Sequence, residues 1–332
     1  MKPLLKKLVE AYGPSGYEGQ VRDLIRAEIR NIPDYITMDP LGNLIAVVKK
    51  KAKSGKKVML SAHMDEIGVM VSHIDERGYA RFQNIGGVFP LHCVGSRVRF
   101  ADGTVGVIGV DEKRDDPTKI PALSDLFIDV GATSKDDCLV KVGDAAGFYR
   151  PMEELGHRLI AKSMDDRVGV AILIETLRAL KSTPHEVAFV FSVQEEVGLR
   201  GAGTAAFGLD ADLGIAVDVT RTGDTPNGLK MAVELGGGAA IKVRDSGMIA
   251  DPRIKDLLVQ RAQEARIKTQ LEILERGSTD AAAMQIARGG LPAGCISIPT
   301  RYLHSPSEMV DFRDVQACVN LLLATLQRPI EI

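Results

Sequence analysis

The chain contains no tryptophan, and aromatic residues make up only 5% of its 332 positions. That scarcity argues against stacked-base or aromatic-platform sugar recognition. It also lacks a charge excess. Its 42 Lys and Arg against 44 Asp and Glu leave a formal charge of −2, too near neutral for a surface built to neutralise nucleic-acid phosphates. No apolar run approaches the roughly 18 residues a membrane-spanning helix requires, and the lysine-bearing residues 1–10 have no apolar stretch behind them. Neither membrane insertion nor export is indicated. The four cysteines, Cys93, Cys138, Cys295 and Cys318, are scattered, without the paired spacing of a thiolate metal site or a small disulfide framework. They read as reduced thiols of a cytoplasmic protein.

What is present is ordinary for a folded protein: 45% hydrophobic and 26% charged residues, a composition that excludes disorder and coiled coils. The length points to two domains. The 33 glycines exceed the usual ~7% and imply many tight turns. After a turn at Gly13-Pro14-Ser15-Gly16, residues 17–29 carry Val21, Leu24, Ile25 and Ile29 at helical spacing, with Ser15 as the expected cap. Strands are expected at 43–48 and 58–62, with a solvated hairpin tip between them that holds six lysines. From 67 to 160 the helical period disappears. Short β-rich runs at 69–71, 98–100, 105–110 and 126–130 recur between turn signals such as Asp102-Gly103. From Ser163 onward helix and strand alternate: helices over 168–180, 255–267, 281–287 and 315–326, buried apolar strands at 187–193 and 213–217, and extended segments at 270–274 and 294–298. The expected fold is therefore α/β, a central mixed sheet flanked by helices, formed by residues 1–66 and 161–332 and interrupted by an all-β unit at 67–160.

Metal-ligand residue types stand where these strands end or helices begin. His63 follows the strand at 58–62, Asp165 opens the helix after Ser163, Glu195-Glu196 follow 187–193, Asp218 follows 213–217 and His304 lies beyond 294–298. Ligands of open α/β sheets bind at the carboxyl ends of the strands, so five segments converge on one edge. Asp65 lies two residues beyond His63 and in extended chain faces the same side, placed to orient the imidazole. His73, His92, His157 and His185 have no such setting and read as structural. Asp165 and Asp166 also fit a helix N-terminus, but capping explains one better than two. The pair Glu195-Glu196 after a buried strand requires a compensating cation or proton, or else the strand has ended and both are solvated. Arg221, Gly236-Gly237-Gly238 and residues 277–281, including Thr279 and Asp280, are candidates for lining a substrate pocket or equally for making turns.

In order along the chain, Ala62-His63-Met64-Asp65-Glu66-Ile67-Gly68, Ser163-Met164-Asp165-Asp166-Arg167, Gln194-Glu195-Glu196-Val197-Gly198, Ala216-Val217-Asp218-Val219-Thr220, Gly277-Ser278-Thr279-Asp280-Ala281 and Arg301-Tyr302-Leu303-His304-Ser305-Pro306 resemble the signatures of the tetrahedral aminopeptidases. These are cytoplasmic dinuclear metallopeptidases that include glutamyl, leucyl and lysyl enzymes. The resemblance spans essentially the whole chain. It implies two divalent ions, Zn, Co or Mn, bridged by Asp165, with His63 and Asp218 completing one site and Glu196 and His304 the other. It further implies Glu195 as general base, Asp65 orienting His63, and a cis Asp165-Asp166 peptide. The implied substrates are peptides with a free N-terminus, with the β unit mediating dimers that assemble into a dodecamer. Alternatives from the residues are a metal-dependent deacylase on N-acyl amino acids or peptides, a metal-free glycosidase using Glu195, and a non-catalytic assembly protein.

Overall fold

The computed structural model describes residues 1–49, 55–113, 116 and 118–332. The lysine-rich tip expected between the first two strands falls mostly on 50–54, outside the described residues. Helix α1 (Lys2–Glu10) buries Leu4, Leu5, Leu8 and Val9 along one stripe. Helix α2 (Gly19–Ile29) buries Val21, Ile25 and Ile29, spaced one turn apart. Ser15 does not cap it: its hydroxyl instead donates to Asp65 at 2.6 Å. Strands β1 (Tyr35–Met38), β2 (Leu44–Val48) and β3 (Lys57–His63) follow.

Six strands then close an antiparallel barrel: β4 (Gly68–Ile74), β5 (Ala80–Ile85), β6 (Arg97–Phe100), β7 (Val105–Val110), β8 (Leu126–Asp129) and β9 (Ala145–Phe148), in the order β4-β5-β8-β7-β6-β9. Val69, Val71, Phe82, Val98, Phe100, Ile108 and Ile128 fill it, the alternation of a sheet with one dry face. A hairpin, β10 (Glu153–Leu155) and β11 (Arg158–Ala161), leads into α3 (Met164–Ala179), β12 (Glu186–Ser192), α4 (Arg200–Leu209), β13 (Leu213–Thr220), β14 (Ala239–Arg244), α5 (Pro252–Glu264), β15 (Thr269–Ile273), α6 (Asp280–Gln285), β16 (Ala293–Arg301), β17 (Glu308–Asp311) and α7 (Phe312–Leu326).

Among the described residues, eleven strands form one mixed sheet, running β1-β2-β12-β3-β13-β16-β17-β11-β10, with β14 pairing β15 and β16. The fold is thus the expected helix-flanked mixed sheet plus a closed barrel, with two differences of detail. The strands on either side of the lysine run do not form a hairpin, because β12 lies between them, antiparallel to β2 and parallel to β3. A strand as apolar as Val187-Ala188-Phe189-Val190-Phe191 is stable only with both edges paired and both faces covered. The hairpin β10–β11 lies almost wholly within the range 67–160 expected as the all-β unit. It belongs to the large sheet, where β11 pairs β17 and Leu159 and Ala161 are fully buried.

Helices α1, α2, α3, α5 and α7 cover one face of the sheet, packing on Leu60, Phe189, Phe191, Val217 and Ile298. Residues of α4 and α6 cover the other over Met59, Val190 and Ala216. In the parallel centre, Ser192 registers with His63 and Asp218 with Ser297, so the carboxyl ends of β3, β12, β13 and β16 open on the same edge.

Candidate metal centre

The six residues expected on these five segments meet there. His63, the last residue of β3, is buried, with Nε2 3.0 Å from Asp165 Oδ1, 3.8 Å from Asp218 Oδ1 and 4.0 Å from Glu195 Oε2. His304 reaches in beyond β16, with Nε2 3.4 Å from Asp165 Oδ2 and 3.6 Å from Glu196 Oε2. Each Asp165 oxygen therefore faces a different imidazole. Among the described residues, two overlapping groups are compact enough to hold a cation: His63 with Glu195 and Asp218, and His63 with Asp165 and Glu196.

Local chemistry explains how Asp165 and Asp166 divide. Both lie outside helical backbone geometry, and the peptide between them is cis. Asp166 Oδ1 accepts from the Gly169 amide at 3.0 Å, capping the helix proper. That frees Asp165 to face the cluster. Positive-φ backbone at Ser163, Gln194, Tyr302 and His304 re-aims the chain on either side of the site residues, a conformation tolerated where surrounding structure imposes it.

Polar groups beneath the cluster hold it. Asp65, fully buried, accepts at Oδ1 from the Glu195 amide (3.0 Å) and at Oδ2 from the Glu196 amide (3.1 Å) and the Ser15 hydroxyl. Its Oδ1 also lies 3.5 Å from His63 Nδ1, which makes its closest approach, 3.1 Å, to the Asp65 carbonyl. Glu308 does the same work for the other half: Oε2 accepts from the Asp165 amide at 3.0 Å and Oε1 from the His304 amide at 2.8 Å. Sequence reasoning missed Glu308, whose one signal is an acid opening a buried strand four residues after His304. Arg167, wholly buried, donates to the carbonyls of Met64, Leu8, Ala11 and Gly13, tying the end of α1 to the backbone between His63 and Asp65.

Electrostatics show what the cluster demands. Burial drives Glu195, Asp218 and Asp166 far above the carboxylate range, reinforced by neighbouring carboxylates. Burial and the Asp165 charge push Glu196 and Glu308 up to about 8. For Asp165 burial acts in the same direction, but hydrogen bonds with His304 and His63 outweigh it and hold the group low. Desolvation opposes a charged His304, yet Asp165 and Glu196 raise it to about 10. So many acids in dry surroundings compete for positive charge, which a bound cation supplies as well as protons do. The buried Glu196 Oε1 has no hydrogen-bond partner among the described residues, and a donor set of two imidazoles with several carboxylates suits borderline divalent metals. The residues fit a metal.

A cavity of ≈ 880 Å³ opens on Asp165, Glu195, Glu196, Asp218 and His304, and is walled by Phe89, Arg221, Leu229, Met231, Ile273 and Ser278 among others. Of the substrate-side candidates, Arg221, Gly277 and Ser278 line it. Thr279 is buried and caps α6 through the Ala281 amide. Asp280 lies under the sheet edge, accepting from Ser61 and Ser192 hydroxyls at 2.6 and 2.5 Å. Gly236 and Gly238 donate to the Asp314 carboxylate away from the cavity. These are turn and packing roles.

An α/β sheet presenting imidazoles and carboxylates at its strand ends, beside a roomy cavity, makes a site able to hold divalent cations. The sequence profile of the M42 glutamyl aminopeptidase family matches residues 42–321, and the chain belongs to that family. It is 38% identical to the lysyl aminopeptidase of Pyrococcus furiosus over 98% of this chain and 96% of that protein. Among solved structures, an aminopeptidase from the archaeon Desulfurococcus kamchatkensis superposes with a TM-score of 0.94 at 41% identity, covering 98% of this chain and 94% of that one. The Pyrococcus horikoshii TET1 peptidase superposes at 0.88 with 31% identity and 98% coverage of both chains, and its structural description is of assembly into a tetrahedron or a large octahedral shell.

Proposed function

We propose that the protein is an aminopeptidase that removes N-terminal residues from peptides with two divalent cations per chain. The observation that carries this is Asp165, whose two oxygens face His63 and His304 separately. His63, Asp218 and Asp165 would hold one ion, and Glu196, His304 and Asp165 the other. When bound, such ions lower the pKa of water and polarise the scissile carbonyl. Glu195, in the cavity wall and backed by Asp65 through its own amide, takes the proton from the attacking water at its carboxylate and returns it to the leaving amine. The ring of carboxylates attracts the ammonium of a free N-terminus, which restricts attack to the first peptide bond. Leu229, Met231 and Ile273 then receive the first side chain. The discontinuous domain, residues 1–66 and 161–332, would carry this chemistry. The unit at 67–160, whose barrel exposes Val94, Val105 and Val107, would carry self-association into dimers and a dodecamer, in the cytoplasm.

The test is a panel of aminoacyl chromogenic amides with enzyme stripped by chelator and reconstituted with Zn, Co or Mn. Activity should vanish on stripping, return with metal and require a free α-amine. Glu195→Gln should bind metal yet lose turnover. Chelator-resistant hydrolysis, action on N-acylated substrates alone, or unchanged turnover of Glu195→Gln would overturn the reading.

A further inference from the structure

We infer that the consecutive glycines Gly86 and Gly87, on the barrel loop after β5, position Glu196 and His304, making the barrel part of one cation site and not of the other. This rests on the reading of Glu196 and His304 as cation ligands. Gly87 offers its carbonyl to His304 Nδ1 at 3.0 Å. An imidazole that donates from Nδ1 presents a free lone pair at Nε2, and Nε2 is the atom facing Asp165 and Glu196. The approach is so close that a Cβ on residue 87 would stand 2.4 Å from His304 Nδ1 and 2.7 Å from Cε1. Any side chain there must displace the ring. Gly86, at φ +71°, sits where a Cβ would meet Glu196 Cβ and Oε2 at 3.1 Å.

The loop is built to hold this shape. Asn84 Nδ2 donates to the Gly86 carbonyl at 2.7 Å, the Val88 amide donates to the same carbonyl at 3.1 Å, and the Phe89 ring stands 6.2 Å from the His304 ring. His63 is oriented differently, by Asp65 two residues along its own strand end. The two imidazoles thus take their orientation from different parts of the fold, one from the large sheet and one from the barrel.

Gly87→Ala in the full chain tests this, because no positive φ is involved at that position and the clash with His304 is the main perturbation. Equilibrium dialysis against buffered zinc, read by elemental analysis, should find two ions in the wild type and one in His304→Ala. Gly87→Ala should retain one tightly held ion, with affinity for the second down on the order of 10–100-fold. Gly95→Ala, a positive-φ glycine of the same barrel segment with open space around it, should keep both, which separates loop strain from the contact. Two tight ions in Gly87→Ala overturn the inference. Two ions in His304→Ala instead overturn the ligand reading beneath it. In the double variant Gly87→Ala/His304→Ala the methyl has room, so its melting temperature should match that of His304→Ala. If Gly87→Ala fails to fold, a folded double variant supports the contact and an unfolded one refutes it.

Discussion

Asp65→Asn tests the support beneath the proposed general base. Wild-type Asp65 accepts at both oxygens, Oδ1 from the Glu195 amide and Oδ2 from the Glu196 amide and Ser15. An asparagine of the same shape must put its NH2 at one of those positions. The Ser15 hydroxyl can rotate to accept, but a backbone amide cannot. In either orientation one of the two backbone N–H groups faces another donor in a site shut off from solvent. Losing a hydrogen bond to a charged acceptor removes about 1.5–3 kcal/mol, and the stranded buried donor adds about 1–3 kcal/mol. Together these come to about 2.5–6 kcal/mol, and a value of about 3 kcal/mol toward the lower end, expressed as displacement of Glu195 and Glu196, corresponds to roughly a hundredfold in rate. Initial rates on an aminoacyl p-nitroanilide should show kcat/KM falling by that order, mainly through kcat. Ser15→Ala removes one hydroxyl donor and leaves both amide contacts, so it should cost tenfold or less. Asp65→Asn active within threefold of wild type, or less impaired than Ser15→Ala, would refute the argument that these amide contacts hold the site.

Glu308→Gln creates the same donor conflict for the amides of Asp165 and His304. It should weaken metal binding by at least tenfold, as measured by dialysis, and lower the melting temperature. Lys162, buried against Glu66 at 2.5 Å, is pulled by desolvation from 10.5 to about 8. Between those values the unfolded chain binds more protons than the folded one, so this residue's contribution to stability rises as pH climbs from about 8 to 10.5. Urea unfolding across that window should show the rise in wild type and its absence in Lys162→Met, with a ceiling of about 3 kcal/mol; parallel profiles would disprove it.

Much of the fold lay in local pattern. The apolar runs of β3, β12, β13 and β16 and the periodicity of α2, α3, α5 and α7 require only neighbours in sequence to be read. Helix α1 escaped because lysines at 2, 6 and 7 interleave its buried leucines. Helix α4 escaped because its buried face, Gly201, Ala202, Ala205 and Ala206, is made of small residues that carry almost no hydrophobic periodicity. Strand β14 directly follows Gly236-Gly237-Gly238, which mask its start in the same way. At the site, the residues at strand ends were legible because a charged side chain directly after a buried apolar strand stands out. Glu308 and Ser15 were not, since a lone acid or hydroxyl beside a turn has many bland explanations.

Burial, charge and periodicity are properties of residues near one another along the chain, and they are enough to say which side chains stand at the carboxyl ends of buried strands. Which of those side chains touch is set by the order of strands and the path of the barrel loop. Placing β12 between β2 and β3 brings Glu195 and Glu196 beside His63, and the barrel delivers the Gly87 carbonyl to an imidazole 217 positions away. Neither contact leaves a mark on local sequence, because the free energy that selects it comes from packing whole elements against each other.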